Sequence, residues 1–273
     1  MELAQDAGLT DAAGVTHEPA AGLCRIVSLV PSLTELLCDL GLAAQLVGRT
    51  GFCIHPRESV REIPKVGGTK SVDLERVRAL APTHVVVNVD ENEKPAVDEI
   101  ARFAPHVIVT HPLHPRDNPG LYRLLGLIFH RNREAAELTR RFEQAWHDAT
   151  LEASKLPREN VLYLIWKKPW MTVARDTYIS GCLAAVGWDT VPETAARRYP
   201  EIALDMHAQD VGCVLLSSEP YRFRDRDVLE VRRAVPPGVR VTLIDGEMTS
   251  WYGSRAIAGL RYLADLRRRL VAA

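Results

Sequence analysis

Apolar and polar positions alternate along this chain at two different periods, and the switches between them mark out the elements. RIVSLV, residues 25–30, is a short continuous apolar run that reads as a buried strand. Pro31-Ser32 opens a helix, with Ser32 and Glu35 at the S-x-x-E spacing of a capping box. Leu33, Leu36, Leu37 and Leu40 recur on one helical face, and Gly41 supplies the stop. A strand follows at 46–49, then a helix at 73–80 that Asp73 can cap, with Glu75 in its first turn where the helix dipole favours a carboxylate. Strands at 84–88 and 107–110 flank a helix at 93–103. Strand and helix in strict alternation predict a parallel sheet covered by helices on both faces.

HPLHPRDNPG, residues 111–120, breaks this alternation, so the first lobe ends near residue 116. Helices are predicted at 119–130 and 132–156, the second capped by Asn132 and stopped by Pro157. With Leu138, Phe142, Ala145, Ala149 and Leu151 near one face, the second helix is about 35 Å long and suits a rigid connector. A second alternation then begins: the strand VLYLIW (161–166), helices at 177–186 and 203–210, and the strand CVLLSS. A helix at 225–234, the strand RVTLID and a helix from 253 complete it. LDMHAQDVGCVLLSSEP echoes LERVRALAPTHVVVNVDE, which places Asp205 and Glu75 at corresponding points of two related lobes. The fold class is therefore α/β: two Rossmann-like lobes with mainly parallel sheets, joined by a long helix. Residues 1–22 read as a poorly ordered lead-in, 23–116 as the first lobe, 117–157 as the helical linker and 158–273 as the second lobe.

Composition narrows the function more than the fold. The 273 residues, 47% of them hydrophobic, can bury one large core or two smaller ones. A net charge of −1 provides no field for nucleic acid or an anionic membrane, and no stretch approaches the ~20 apolar residues of a membrane span. Five scattered cysteines carry no zinc spacing and point to a reducing compartment. The N-terminal stretch has no apolar signal region, so the sequence as written predicts a cytoplasmic chain.

In open α/β sheets ligands collect beyond the carboxyl ends of the strands. In lobe one those ends bring forward Pro31-Ser32, Arg49 to His55, Thr69-Lys70 and Asn88 to Asp90. In lobe two they bring forward Trp166 to Trp170, Arg175-Asp176, Ser217 to Arg222 and Asp245 to Tyr252. Aromatic and charged side chains are concentrated there, which suits a sizeable polar ligand bound between two lobes. No G-x-S-x-G elbow, P-loop or G-x-G-x-x-G fingerprint is present. His55, His111 and His114 lie beside prolines without a recognised metal spacing, and no metal site is expected.

VSLVPSLTELL, Gly48-Arg49, Val66 to Gly68 and VDLERVRALAPTHVVV resemble, in order and spacing, the start of the class III periplasmic binding proteins. These bind cobalamin and iron chelates and are also called helical-backbone metal receptors. The resemblance implies a non-enzymatic monomer that needs no cofactor and delivers a corrinoid or metal chelate to an ABC-transporter permease from the periplasm. It places Phe52, Tyr199 and Trp251 at or near the aromatic positions that clamp a corrin ring, and Thr69 and Asn88 where relatives carry tryptophan. Lys70, Met171, Arg175 and Tyr252 complete the expected ligand set. Glu75 matches one permease-docking acid and Asp205 the other, with Glu201 as a rival for the second. The competing expectation is a cytosolic enzyme that acts on a small anion with Lys70, Asp90 and Arg175.

Overall fold

The computed structural model describes residues 8–272, which form two compact units. Unit one holds the described residues up to Pro112, together with Asp117–Arg141 and Tyr252–Ser254. Its sheet consists of β1 (Ile26–Ser28), β2 (Leu46–Arg49), β3 (His84–Asn88) and β4 (His106–Thr110), in the order β2-β1-β3-β4 and parallel throughout. All five residues of β3 are buried, as an apolar strand covered on both faces must be. Val27, Leu29, Val85 and Val87 pack with Val66, Val77, Ile100 and Ala104 into one core.

Helix α1 (Pro31–Asp39) corrects the expected capping box. Its N-cap is Val30, with extended dihedrals (φ −137°, ψ 133°) and no side-chain cap bond. A residue before proline is driven out of the helical region, and proline itself favours the first helical position. The cap therefore moves two residues back, from Ser32 to Val30, and Ser32 is buried inside the first turn. Gly41 does end this helix, at φ +76°. Helices α2 (Arg57–Val60), α3 (Leu74–Ala79), α4 (Lys94–Ile100) and α5 (Asn118–Ile128) follow, and Asp73 caps α3 by accepting from Arg76 N at 3.1 Å.

Within the expected lead-in, Asp11 and Ala12 are hydrogen-bonded to the sheet; residues 1–7 lie outside the described residues. Ala12 N donates to Val109 O on β4 at 2.9 Å, and Asp11 Oδ2 accepts from Val109 N at 2.9 Å. Asp11 is also 3.0 Å from His17 Nε2, with both side chains almost wholly buried. The backbone groups of an edge strand need partners, and a polar segment supplies them as well as an apolar one.

On the same sheet His84 stacks on His106 with ring centroids 4.7 Å apart, and Phe129 stands edge-on to it. Burial, followed by the neighbouring His106 and His17, lowers the His84 imidazole to about 4. An unfolded histidine titrates near 6.5, so between those values the unfolded chain binds the extra proton and stability falls with pH. We expect acidification from pH 7 to 4.5 to cost the protein on the order of 2 kcal/mol more than it costs His84→Leu. Urea unfolding at the two pH values measures the difference; equal losses would refute the assignment.

Helix α6 (Asn132–Ala153), 22 residues long, carries the chain from unit one into unit two. Unit two comprises Leu113–Arg116, Phe142–Trp251 and the chain from Arg255. Its strands are β5 (Glu159–Leu164), β6 (Trp188–Thr190), β7 (Cys213–Ser217) and β8 (Arg240–Ile244), parallel in the order β6-β5-β7-β8. Helices α7 (Tyr178–Ala185), α8 (Leu204–His207), α9 (Asp225–Ala234), α10 (Gly246–Ser250) and α11 (Arg255–Ala272) complete it. Leu162, Leu164, Val214, Leu216 and Val231 form the core of one face. At the amino ends of the strands Glu159 accepts from Arg240, Arg267 and Trp188, and the Arg267 side chain is only 3% exposed. No helix among the described residues is long and apolar enough to cross a membrane.

Candidate functional site

Both sheets reverse direction beside their first strand. In unit one the chain moves from β1 outward to β2 and then across to β3, so the switch point where open α/β sheets take ligands lies beyond the carboxyl ends of β1 and β3. In unit two the same reversal lies between β5 and β7. The loops at these two points are where ligand chemistry belongs.

In unit one, Arg49 at the end of β2 is buried, donating from Nε to Val60 O (2.7 Å) and from Nη1 to Thr50 O (3.1 Å). That anchoring holds the following loop, from which Phe52 projects at 63% exposure. Gly51 N donates to Gly67 O at 2.7 Å, joining this loop to a tight hairpin closed by Gly67 and Val72. Gly67 has φ +101°, and a side chain there would collide with Ser71 O, so the hairpin depends on glycine. A Cβ at Gly68 would lie 3.3 Å from the Phe52 ring, which places Phe52 against the hairpin.

The hairpin tip carries Thr69 and Lys70. Lys70 Nζ donates to Asp90 O at 2.8 Å and lies 3.3 Å from Glu93. Asn92 ties the β1 and β3 ends together, donating to Leu29 O at 3.3 Å and to Thr69 O at 3.0 Å. Asn88 is buried; its Oδ1 accepts from Asp90 N at 2.8 Å and its Nδ2 donates to Thr110 Oγ1 at 3.4 Å, so it shapes this turn. Tyr252 is buried and donates to Glu91 Oε1 at 2.7 Å; burial, and then that carboxylate, push its phenol well above the ordinary value. Asn118 Oδ1 and Tyr122 OH hold the next residue, Gly253, by its N–H (2.6 Å) and carbonyl (2.8 Å).

In unit two the loop after β5 folds back on itself, with Met171 N donating to Trp166 O at 3.2 Å and Met171 bridging Glu201. Trp166 meets Tyr221 edge-on at 5.7 Å, Tyr221 meets Phe223 at 4.7 Å, and Trp170 stacks on Phe223 at 6.2 Å. Sequence reading located these loops but not this aromatic string, because its members come from two separate segments. Lys167, counted from sequence among the loop charges, pairs with Asp227 at 2.8 Å and Glu230 at 2.6 Å. Arg175 donates to Thr190 O at 3.2 Å and pairs with Glu193 at 2.9 Å. Tyr199 is 39% exposed on the segment whose neighbours Arg198 and Pro200 accept from Ala174 and Thr172. Trp251, half-buried, follows α10 and donates from Nε1 to Glu219 Oε1 at 2.8 Å.

The structure thus draws Phe52, Thr69, Lys70 and Asn88 onto adjoining loops of unit one, and sets Met171, Arg175, Tyr199 and Trp251 on loops of unit two. Glu75 and Asp205 are both exposed, each in the first turn of a helix of its own unit. Among the described residues no group of three or more histidines, cysteines or carboxylates is placed to hold a metal ion.

Comparison with known proteins bears on these loops. The family model described as periplasmic binding protein matches residues 26–212. The chain is 20% identical over 186 residues to the vitamin B12-binding protein of Vibrio vulnificus, covering 68% of each chain. It is 22% identical over 181 residues to that of Vibrio parahaemolyticus, covering 66% of each. Among solved structures it is similar to the periplasmic vitamin B12 binding protein BtuF of Vibrio cholerae, with a TM-score of 0.78 at 14% identity over 92% of this chain and 99% of that one. The periplasmic heme-binding protein RhuT from Roseiflexus sp. RS-1 matches with a TM-score of 0.77 at 19% identity, over 90% of this chain and 97% of that one. At these identities the structural likeness establishes the two-lobed fold.

Proposed function

This chain belongs to the periplasmic binding protein family, whose members are substrate-binding transport proteins and not enzymes, and from that premise we propose that its substrate is a corrinoid or a related planar metal chelate. The observation that carries the reading is Phe52, a large aromatic 63% exposed on a loop braced at Arg49 and Gly67. An aromatic whose backbone is already braced loses less entropy when a flat ring stacks on it, and preorganisation of this kind raises affinity. Trp251 and Tyr199 are the corresponding aromatics of unit two, and Lys70 and Arg175 are cations for peripheral carboxylates or amides. The relatives' names, vitamin B12-binding and heme-binding, fit the same chemical class.

The enzyme alternative finds no support in the family. On the same premise we infer that Glu75 and Asp205 meet a permease, a reading supported by their exposure and by their place in the first turn of a helix in each unit.

The direct test is a panel of cyanocobalamin, hemin and a ferric siderophore, read by thermal stabilisation and tryptophan quenching. One of the macrocycles should stabilise the protein by about 2.7 kcal/mol at a hundredfold excess over Kd. Trp251→Ala should weaken that ligand by more than about 1 kcal/mol, the usual loss for a buried aromatic anchor. If no panel member binds, the corrinoid and metal-chelate reading fails. If affinity is unchanged on single alanine substitution of Phe52, Lys70, Arg175, Tyr199 and Trp251, the site lies elsewhere.

A further inference from the structure

Trp251 is fixed in place by a carboxylate that the sequence does not single out. Glu219 follows the end of β7, where its carbonyl accepts from Ser217 Oγ at 2.7 Å. Its Oε1 receives two donors, Ser250 Oγ at 2.8 Å and Trp251 Nε1 at 2.8 Å. The loop that brings Trp251 there passes directly over Glu219: a Cβ at Gly246 would stand 2.5 Å from Glu219 Cγ and 2.6 Å from Ser217 Oγ. On the indole face, the Arg255 guanidinium lies 4.7 Å from the ring centroid, itself paired with Glu247 at 3.3 Å. The ring is therefore held along its N–H edge and on one face, while still half-buried at the surface. A tryptophan with so many constraints cannot swing freely to meet a ligand.

We propose that Glu219 is a positioning residue: through its hydrogen bond to the Trp251 indole it presets this ring as the unit-two wall against which a planar macrocycle packs. The ligand part rests on the function proposed above. An indole that only donates to water would choose its rotamer on binding and lose the entropy then; one bonded to a half-buried carboxylate has lost it on folding. Burial raises the Glu219 carboxyl, the Ser250 and Trp251 bonds oppose that rise, and Glu247 and Asp245 add to it. Protonation then weakens the charge-assisted bond to the indole, which makes the ring report on this carboxyl.

The test uses the full chain with 15N-labelled tryptophan, in which the Trp251 indole signal is identified by its loss in Trp251→Phe. In the wild type that signal should shift on acidification through the Glu219 titration. Glu219→Gln, which retains an acceptor oxygen, should keep the indole bonded but abolish the shift. Glu219→Ala should move the signal and speed its exchange with water. With cyanocobalamin or hemin as probe, Glu219→Ala and Trp251→Phe should each weaken binding about tenfold, and the double variant should be no weaker than either. Glu219→Gln should restore most of the affinity. Additive losses, or an indole signal unchanged in both Glu219 variants, would overturn the positioning role. If the wild type binds neither probe, the ligand reading fails by itself, and the indole titration still decides whether Glu219 holds Trp251. Should Glu219→Ala not fold, the comparison of wild type with Glu219→Gln carries the same decision.

Discussion

Reversing the charge at both Glu75 and Asp205 is expected to abolish ligand uptake in cells that depend on this protein, while ligand affinity stays within twofold. Both carboxylates are exposed in first helical turns, and Glu75 has only a long contact, 3.9 Å, to Arg78. Their structural value is the helix-start term of ~0.3–1 kcal/mol, too small for its loss to unfold either unit. Their value to a permease is different in kind. An arginine that meets a carboxylate gains a charge-assisted, bidentate bond, and one that meets lysine is repelled. Single reversals should give partial uptake, since each unit would retain its own contact. Uptake assays paired with solution binding separate delivery from capture. Normal uptake by the double variant would reduce both acids to helix-start electrostatics.

The second large effect lies at the opposite end of unit two. Glu159→Ala is expected to destabilise the protein by about 3–5 kcal/mol, the cost of leaving a buried charge without its partner. Glu159 accepts from Arg240, Arg267 and the Trp188 indole, and both Arg267 and Trp188 are buried. Removing one carboxylate therefore takes the counter-charge from two guanidinium groups, leaving Arg267 with only Pro157 O as acceptor among the described residues, and the acceptor from the Trp188 N–H. Glu159→Gln keeps an acceptor for the indole and should cost less. Because the cluster joins the amino ends of the strands, ligand affinity of the folded variant should not change. Urea unfolding measures the loss; a cost below 1 kcal/mol would mean that water replaces the carboxylate freely.

The legible parts of the fold were those where hydrophobic period and punctuation agreed. The runs around Val27, Val85, Leu162 and Leu215 are strands near the expected positions, and Asp73 caps its helix. The misses have physical causes. Strand β6 is only Trp188–Thr190, too short for a periodic signal and interrupted by Asp189, yet Trp188 is fully buried. The expected cap at Ser32 lost to the stronger constraint of Pro31 one residue earlier. For the site, sequence located the loops because the topology rule needs only strand order. It could not show that Lys167 closes on Asp227 and Glu230, sixty and more residues away, or that Glu219 grips Trp251. Such contacts depend on which loops the sheet brings side by side, and a single sequence carries no periodic trace of them.

The segment around Asp11 has a bearing on how molecules of this protein meet each other. β4 is an outer strand of its sheet, and an outer strand offers its free amide and carbonyl groups to any extended chain that drifts alongside. Here Val109 has both groups occupied by the molecule's own arm, its carbonyl by Ala12 N and its amide by the Asp11 carboxylate. The arm therefore closes that edge at Val109 to pairing with the extended chain of another molecule.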